Sequence, residues 1–288
     1  MSAITERYDR DAQDYERYWA PVLDRAARRL LDDCEPFVSA ARTGGADRPF
    51  RVLDVGTGSG VLATEAATRW PHADVVGVDS AGGMLAVARS RAVRLGHGSA
   101  SGRLTWLLGE ADRLPVDDES VDLVVSSFVY QLVPDRPAAL RDALRVLRPG
   151  GHLAFVTWMA GRDGFAPADE FDEAVYDLDI EEPEYAEEER SGDLRSVRAT
   201  TAELRAAGFR RVSARRERLE YDWTLDSYLE YKERYDESAL MSDLDAETGR
   251  RLIERARQRM EGLDPGAFRW RPPIMYATAQ RPPQPGSR

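Results

Sequence analysis

Strand-like and helix-like patterns alternate along the middle of the chain, between residues 51 and 158. Five short apolar runs have the length of buried strands; they lie at 51–56, 73–79, 104–110, 121–128 and 151–158. Between these runs, apolar residues recur at helical spacing over about 60–70, 81–95 and 136–147. The residues 148–151 (RPGG) predict a sharp turn before the fifth run. This alternation predicts an α/β fold with a doubly wound, mostly parallel sheet and helices on both faces.

The pattern differs on either side of this core. Residues 4–33 read as helix, and Pro21 is predicted to break that run into two pieces. After Trp158 we expect further elements, at 165–180 (an acidic amphipathic helix with Phe171, Val175 and Leu178 inward), 200–207 (helix, closed by Gly208), 212–221 (strand), 224–236 and 245–261 (helices) and 274–279 (a last strand). We therefore predict a helical lid at 1–41 and a core at 42–160. An acidic and helical cap insertion follows at 161–240 and includes one core strand at about 211–221. A helix and the final strand lie at 241–281, and a disordered tail lies at 282–288.

A glycine-rich turn follows the first strand directly, at Gly56, Gly58 and Gly60. Glycines let the chain turn tightly and leave no Cβ between the backbone and a ligand. A dinucleotide-binding fingerprint needs its third glycine at position 61, where this chain has Val61. The second strand ends in Asp79, and a carboxylate there can accept from both hydroxyls of a ribose. Taken alone, that geometry serves NAD and S-adenosylmethionine equally.

Four segments resemble the successive motifs of class I S-adenosylmethionine-dependent methyltransferases, above all the branch of the ubiquinone, menaquinone and natural-product enzymes. They read VLDVGTGSG, VVGVDSAGGML, GEADRLPVDDESVDLVVSSFVYQLVPD and LRVLRPGGHLAFVTW. The likeness is strong over about residues 51–158 and weaker elsewhere. It implies a seven-stranded sheet with an antiparallel last strand, S-adenosylmethionine as cofactor, and transfer of a methyl group to a small-molecule acceptor by O-, N- or C-methylation.

The resemblance also implies a set of cofactor contacts at the carboxyl ends of the strands. The residues concerned are Tyr15, Asp54, Gly56, Thr57, Gly58, Asp79, Ser80, Met84, Glu110, Ala111, Asp112 and Ser126. We expect Gly56 and its neighbours to face the methionine end, and Asp79 to face the ribose, with Ser80 available to cap the next helix. Met84 either packs against adenine or belongs to the core. Either Glu110 or Asp112 reads the adenine amino group.

The catalytic side of the site is less well defined. Tyr130 and Gln131 follow the fourth strand. In the family, side chains at this place face the transferred methyl, and many relatives carry a histidine there. None of the three histidines is expected there, because His72 and His152 lie at the amino ends of strands and His97 follows a helix. A general base, if one is used, is either Tyr130 or an acid from 163–193. No cluster of residues has the spacing of a metal site.

Composition narrows the partners. The net charge is −11, and it is concentrated in residues 162–193, so no basic surface is available for nucleic acid. That acidic stretch is either a lid that attracts an amine substrate or a solvated surface. No apolar run is long enough to span a membrane. The amino-terminal residues are charged and lack the apolar segment of a secretory signal, and Cys34 is the single cysteine; both features predict a cytoplasmic protein. A homodimer is compatible with the sequence.

Three rival functions remain open at this point. The alternatives to small-molecule methyl transfer are an NAD-dependent dehydrogenase, a nucleic-acid methyltransferase, and an S-adenosylmethionine-binding protein with a non-methylating role in a natural-product pathway. Val61 opposes the first, and the absence of an Asn/Asp-Pro-Pro-aromatic motif after the fourth strand opposes the second. The missing histidines keep the third in play.

Overall fold

The computed structural model describes residues 2–43, 48–97, 102–161, 164–181 and 189–284. Its centre is a seven-stranded sheet. The strands are β1 (Phe50–Val55), β2 (Ala73–Asp79), β3 (Leu104–Leu108), β4 (Val121–Ser127), β5 (Leu147–Trp158), β6 (Arg210–Arg218) and β7 (Pro273–Gln280). They lie in the order β3-β2-β1-β4-β5-β7-β6. Strands β1 to β5 are parallel, and β7 runs antiparallel to both of its neighbours. The predicted fold class is confirmed, including the antiparallel last strand.

Helices connect and cover the strands. The α-helices are Ala3–Arg10, Ala12–Asp14, Ala20–Thr43, Val61–Arg69, Gly82–Arg94, Arg136–Val146, Ala166–Asp177, Val197–Ala206, Leu225–Tyr231, Ser238–Asp243 and Ala246–Met260. Two π-helical turns, Tyr15–Trp19 and Lys232–Asp236, and a 3₁₀ turn at Pro265–Phe268 complete the helical set. A short ribbon pairs Tyr221–Asp222 with Arg269–Trp270.

The buried apolar residues form two main layers, one on each face of the sheet. One layer holds Leu30 and Leu31 of the long amino-terminal helix together with Phe171 and Leu252 of later helices. The other packs the helix Arg136–Val146 and the helix Val197–Ala206 against the opposite face. Parallel strands buried on both faces explain why the core strands read as continuous apolar runs.

Two predictions about local structure are wrong. The amino-terminal helical run is not broken at Pro21. The backbone instead widens just before it into the π-helical turn, where the Ala20 amide donates to the carbonyl of Tyr15, and the helix continues to Thr43. The turn predicted at 148–151 lies inside β5 as an irregularity in its pairing with β4, with Gly150 at φ 84°.

The acidic helix forms where it was predicted, with Phe171 and Val175 buried. Its carboxylates do not cover a cleft. Arg259 donates to Glu170 and Asp177 at 2.7 and 2.8 Å, and Arg255 donates to Asp177 at 2.7 Å. The helix therefore docks on Ala246–Met260 through ion pairs. Most of the charged stretch that follows it, 182–188, lies outside the described residues, as do residues 285–288 of the predicted tail. The division into lid, core and cap stays a prediction. Within the described part of the chain, no helix has the length and apolar character needed to cross a membrane.

Candidate functional site: a nucleoside-sized cleft joined to an aromatic chamber

A cleft opens at the carboxyl ends of β1, β2 and β4. Its walls include eight of the predicted cofactor residues: Tyr15, Gly56, Gly58, Asp79, Ser80, Met84, Glu110 and Ala111. Two carboxylates, Asp79 and Glu110, face it, and none of the described lining residues is a lysine, arginine or histidine. The cleft is therefore built for a neutral or cationic ligand and offers no side-chain cation to a phosphate.

The glycine turn shapes the floor of this cleft. Gly56, Gly58 and Gly60 all have positive φ, of 66°, 54° and 80°. A Cβ on Gly56 would lie 2.2 Å from a methyl of Val129, so the turn and the end of β4 can approach each other only with glycine there. A Cβ on Gly58 would face the Tyr15 ring at 3.9 Å, across the cleft.

Asp79 ties the turn to the second strand. One carboxylate oxygen accepts from the Gly58 amide at 2.7 Å, and the other accepts from the Ala81 amide at 2.9 Å. Each oxygen keeps a second lone pair, so two ligand hydroxyls can still be accepted. The expectation that Ser80 caps the next helix is wrong, because its hydroxyl bonds to that of Thr5 at 3.1 Å and the helix has no side-chain cap.

Asp54 and Thr57 lie beside the turn, in a recess shared with Tyr15, Gly56 and Gly58. The Thr57 hydroxyl donates to Asp54 Oδ2 at 2.6 Å, whereas Oδ1 has no hydrogen bond of ordinary geometry to any described residue. Burial raises the pKa of the Asp54 carboxyl to about 7. A buried carboxylate oxygen without a donor is costly, and a ligand ammonium in the recess would satisfy it.

The two acids after β3 separate in the structure. Both acids are exposed, but Glu110 lines the cleft together with Ala111, whereas Asp112 does not. Met84 is 1% exposed, packs with Ala12 and Ala81, and also borders the cleft. It therefore belongs to the core, and its contact with adenine stays a prediction.

The amino-terminal helices cover the cleft from above, and Ile4, Thr5 and Tyr8 add to its lining. Asp9 Oδ1 accepts from the amide of Gly83 at 2.6 Å, which seats the first helix on the start of the helix Gly82–Arg94. Ile4, Thr5 and Asp9 were not predicted as site residues from the sequence. The glycine pair before Met84 was the available signal, since a Cβ on Gly83 would lie 2.3 Å from the Asp9 carbonyl oxygen.

A second cavity of about 930 Å³ joins the cleft, with Tyr8, Tyr15, Phe128 and Leu132 in both linings. We call it the aromatic chamber, because seven of its lining residues are aromatic: Tyr8, Tyr15, Trp19, Phe128, Trp158, Tyr231 and Tyr235. The rings pack on one another, with Trp19 stacked on Tyr231 at 5.4 Å between centroids. Both π-helical turns contribute to it.

Phe128 stands where the cleft meets the chamber. Its φ of 57° is unusual for a bulky residue and marks stored strain. Gln131 holds this conformation by donating from Nε2 to the Phe128 carbonyl at 2.7 Å, and its Oε1 accepts from Thr157. Gln131 therefore lines the chamber, but both ends of its amide are engaged within the protein.

Two other predicted site residues are not brought to the cleft or the chamber. Tyr130 is 1% exposed and packs on Phe155 at 5.1 Å, in the core on the far face of the sheet. Burial raises the pKa of its hydroxyl, which opposes a role as a base. The reversed backbone at Phe128 changes the side to which the following residue points. Ser126 is fully buried, and its hydroxyl donates to the Val55 carbonyl at 2.8 Å, joining β4 to β1.

The remaining candidates lie elsewhere. His72 borders a groove at the opposite ends of the strands, His97 bonds to Thr68, and His152 stacks on Phe37, where burial lowers its pKa to about 4. The acidic helix Ala166–Asp177 contributes no residue to either cavity, so its acids are not candidates for a base. Within the described ranges, no group of His, Cys, Asp and Glu is arranged to hold a metal ion.

Comparison with known proteins identifies the core. Residues 53–155 match the family described as a methyltransferase domain. The match covers most of the segment in which the four motifs lie, and the resemblance of those motifs to methyltransferases is confirmed.

Curated relatives agree over the same region. The chain is 35% identical over 158 residues to malonyl-[acyl-carrier protein] O-methyltransferase of Geobacter sulfurreducens, covering 55% of this chain and 54% of that protein. It is 38% identical over 142 residues to the ubiquinone/menaquinone biosynthesis C-methyltransferase of Syntrophotalea carbinolica, covering 46% and 58%. The chain thus spans about half the length of the curated relatives it matches.

Solved structures support the fold. Phosphoethanolamine N-methyltransferase 2 of Haemonchus contortus, in complex with S-adenosyl-L-methionine, matches with a TM-score of 0.51 and 21% identity, over 88% of this chain and 52% of that one. The YcgJ protein of Bacillus subtilis matches with a TM-score of 0.51 and 18% identity, over 86% and 99%. At these identities the likeness concerns the fold alone.

Proposed function

We propose that the protein transfers a methyl group from S-adenosylmethionine to a small-molecule acceptor held in the aromatic chamber. The observation that carries this proposal is the charge of the cleft, which has two carboxylates and no described basic side chain. S-adenosylmethionine carries a sulfonium and an ammonium, whereas NAD carries a diphosphate that calls for amides or cations. The relatives named above are methyltransferases, which supports the same reaction.

The residues fit the cofactor at three points. Asp79 faces the ribose hydroxyls with its two remaining lone pairs. Glu110 is free to accept from the adenine amino group. Asp54 Oδ1, which makes no hydrogen bond of ordinary geometry to a described residue, matches the ammonium at the methionine end. Tyr15 covers that end, opposite Gly58.

When bound, the cofactor supplies a methyl group already activated by the sulfonium. The task left to the chain is to orient a nucleophile behind that methyl and to exclude water, and proximity of this kind is worth about 7–11 kcal/mol. Phe128, fixed by Gln131, and Tyr15 stand between cleft and chamber and suit this task. We assign no general base to the segment after β4, because the Tyr130 hydroxyl is buried away from both cavities.

Calorimetry with each cofactor tests the first part of the proposal. We expect S-adenosylmethionine and S-adenosylhomocysteine to bind and to raise the melting temperature, and NAD at equal concentration to do neither. Mass spectrometry of candidate acceptors, followed with the formation of S-adenosylhomocysteine, tests the transfer itself. Equal binding of NAD would overturn the cofactor assignment. Binding without any transfer across aromatic, amine and acyl acceptors would favour the non-methylating alternative.

We also propose that the protein works in the cytoplasm and without nucleic acid. The single cysteine, Cys34, is fully buried, and the net charge of −11 repels phosphate backbones. A gel-shift experiment at low salt, in which we expect no shifted DNA or RNA, tests the second statement.

A further inference from the structure

One carboxylate interrupts the aromatic wall of the chamber. Asp236 ends the second π-helical turn and lines the chamber together with Tyr231 and Tyr235. Its side chain is 38% exposed. It lies outside residues 53–155, the part of the chain that matches the family.

Asp236 is held in place from two sides. The Tyr231 hydroxyl donates to its Oδ1 at 2.8 Å, and the ammonium of Lys232 donates to its Oδ2 at 2.8 Å. The π-helical turn makes this possible, because residues five apart meet on it, as the Glu237 amide and the Lys232 carbonyl do at 2.9 Å. Each carboxylate oxygen therefore has one protein donor and one lone pair left for a ligand.

Lys232 is the only lysine of the chain, and it is 4% exposed. Its ammonium also donates to Glu237 at 2.7 Å and lies 4.5 Å from the centre of the Phe171 ring. One ammonium faces two carboxylates, so the formal charges of the three groups sum to one negative charge. The chamber thus presents a fixed, charged acceptor next to stacking surfaces.

The other charged groups of the chamber, and the amide of Gln131, are committed or peripheral. Asp11 is bound by Arg10 at 2.7 and 2.9 Å, and both ends of the Gln131 amide are used internally. Glu6, Arg7, Arg10 and Arg190 are exposed. Asp236 is the acceptor that is oriented by buried or partly buried partners.

We propose that Asp236 selects the acceptor of the methyl group: an aromatic molecule that carries a hydrogen-bond donor, a hydroxyl or a protonated amine, on the end remote from the reacting atom. The aromatic body packs among rings such as Trp19, Trp158 and Tyr235, and the donor binds Asp236. Tyr231 and Lys232 are positioning residues. This inference rests on the proposed function, since it takes the chamber as the acceptor site.

Three naphthalene compounds with one body and different head groups test the proposal by calorimetry near neutral pH. They are 2-naphthylmethylammonium (a charged donor), 2-naphthol (a neutral donor) and 2-naphthoate (an acceptor only). We expect the ammonium and the phenol to bind the wild-type protein at least about tenfold more tightly than the carboxylate, which corresponds to about 1.4 kcal/mol. In Asp236→Asn this preference should fall to within about threefold, and in Tyr231→Phe it should weaken without a change in the affinity for the carboxylate.

Asp226→Asn is the matched control. Asp226 lies on the helix Leu225–Tyr231, is 82% exposed and pairs with Arg257; its loss should leave the preference unchanged. Equal or tighter binding of the carboxylate to the wild type, no binding of any of the three compounds, or an unchanged preference in Asp236→Asn would each overturn the proposal. The wild-type comparison does not depend on how well a variant folds. Binding of S-adenosylmethionine measured in parallel separates failure of this inference from failure of the proposed function.

Discussion

Replacing Asp54 by Asn should stabilise the ligand-free protein in a way that depends on pH. Asp54 is 1% exposed, and burial raises its pKa from 3.8 to about 7. The negative charge of Asp79 adds to this shift, and the hydrogen bond from Thr57 opposes it only in part. Asn keeps an oxygen for the Thr57 hydroxyl and removes the charge.

The sign follows from the direction of the shift. Because the folded-state pKa lies above that of the unfolded chain, the folded protein retains a proton that the unfolded chain releases. The stability linked to Asp54 is therefore fully present below about pH 4 and is lost as pH rises through about 7. A shift of about three pKa units corresponds to roughly 4 kcal/mol in the free energy of unfolding.

Urea denaturation of the wild type and of Asp54→Asn between about pH 5 and pH 8 measures this effect. We expect the difference in the free energy of unfolding to grow in favour of Asn by about 2–3 kcal/mol across that range. The exposed control Asp226→Asn should show a difference that does not vary with pH. A flat difference for Asp54→Asn would refute the burial argument.

The same variant has an opposite effect on the proposed cofactor. If Asp54 balances the ammonium of S-adenosylmethionine, Asn weakens its affinity by about tenfold, since a hydrogen bond to a charged group is worth about 1.5–3 kcal/mol. A variant that is more stable but binds less well would show that the buried Asp54 carboxylate serves the ligand and not the fold. Unchanged affinity would leave Asp54 as a purely structural residue.

Three further predictions concern the cover, the adenine end and the far face of the sheet. Gly83→Ala should weaken cofactor binding by about tenfold and expose the first helix to protease. The added Cβ would lie 2.3 Å from the Asp9 carbonyl oxygen, and overpacking costs about 1–3 kcal/mol. Gly82→Ala is the control and should bind the cofactor normally, because its Cβ would have its nearest neighbour at 3.6 Å. Glu110→Gln should weaken S-adenosylmethionine binding in calorimetry by roughly 10-fold or more, whereas Asp112→Asn should not; the reverse result would transfer the adenine contact to Asp112. Tyr130→Phe should keep the rate of methyl transfer within about twofold of the wild-type rate, and its melting temperature should equal or exceed that of the wild type. The substitution removes a buried hydroxyl that has no partner among the described residues. A large loss of turnover would restore Tyr130 as a candidate catalytic residue.

The alternation of strands and helices could be predicted because it depends on periodicity, which is local. The residues that line the cleft at the strand ends could be predicted for a similar reason, since the ends of parallel strands meet at one edge of the sheet. Glu110 and Asp112 could not be separated in this way, because which of the two lines the cleft depends on the turn after β3. Tyr130 was misplaced because no sequence pattern announces the positive φ of Phe128.

The chamber was harder to predict than the cleft. Its walls come from segments far apart in the chain, such as Trp19, Trp158 and Tyr231, and each ring read singly is indistinguishable from a core residue. The π-helical turns add one residue to a helical turn, so a pattern with a period of 3.6 does not detect them. The prediction that Pro21 ends the helix failed at such a turn.

The place of β7 in the sheet also bears on how the chain reaches its native state. Residues 273–280 fill the gap between β5 and β6, so β6 has no partner in the sheet until they have been synthesised. A chain growing on the ribosome can assemble β1 to β5, but β6 must wait with its edge unpaired. Closure of the sheet is then a late, long-range event of the kind that folds slowly and exposes strand edges to misassembly. Shortening of the chain within β7 would therefore act on folding yield before it acted on any ligand contact.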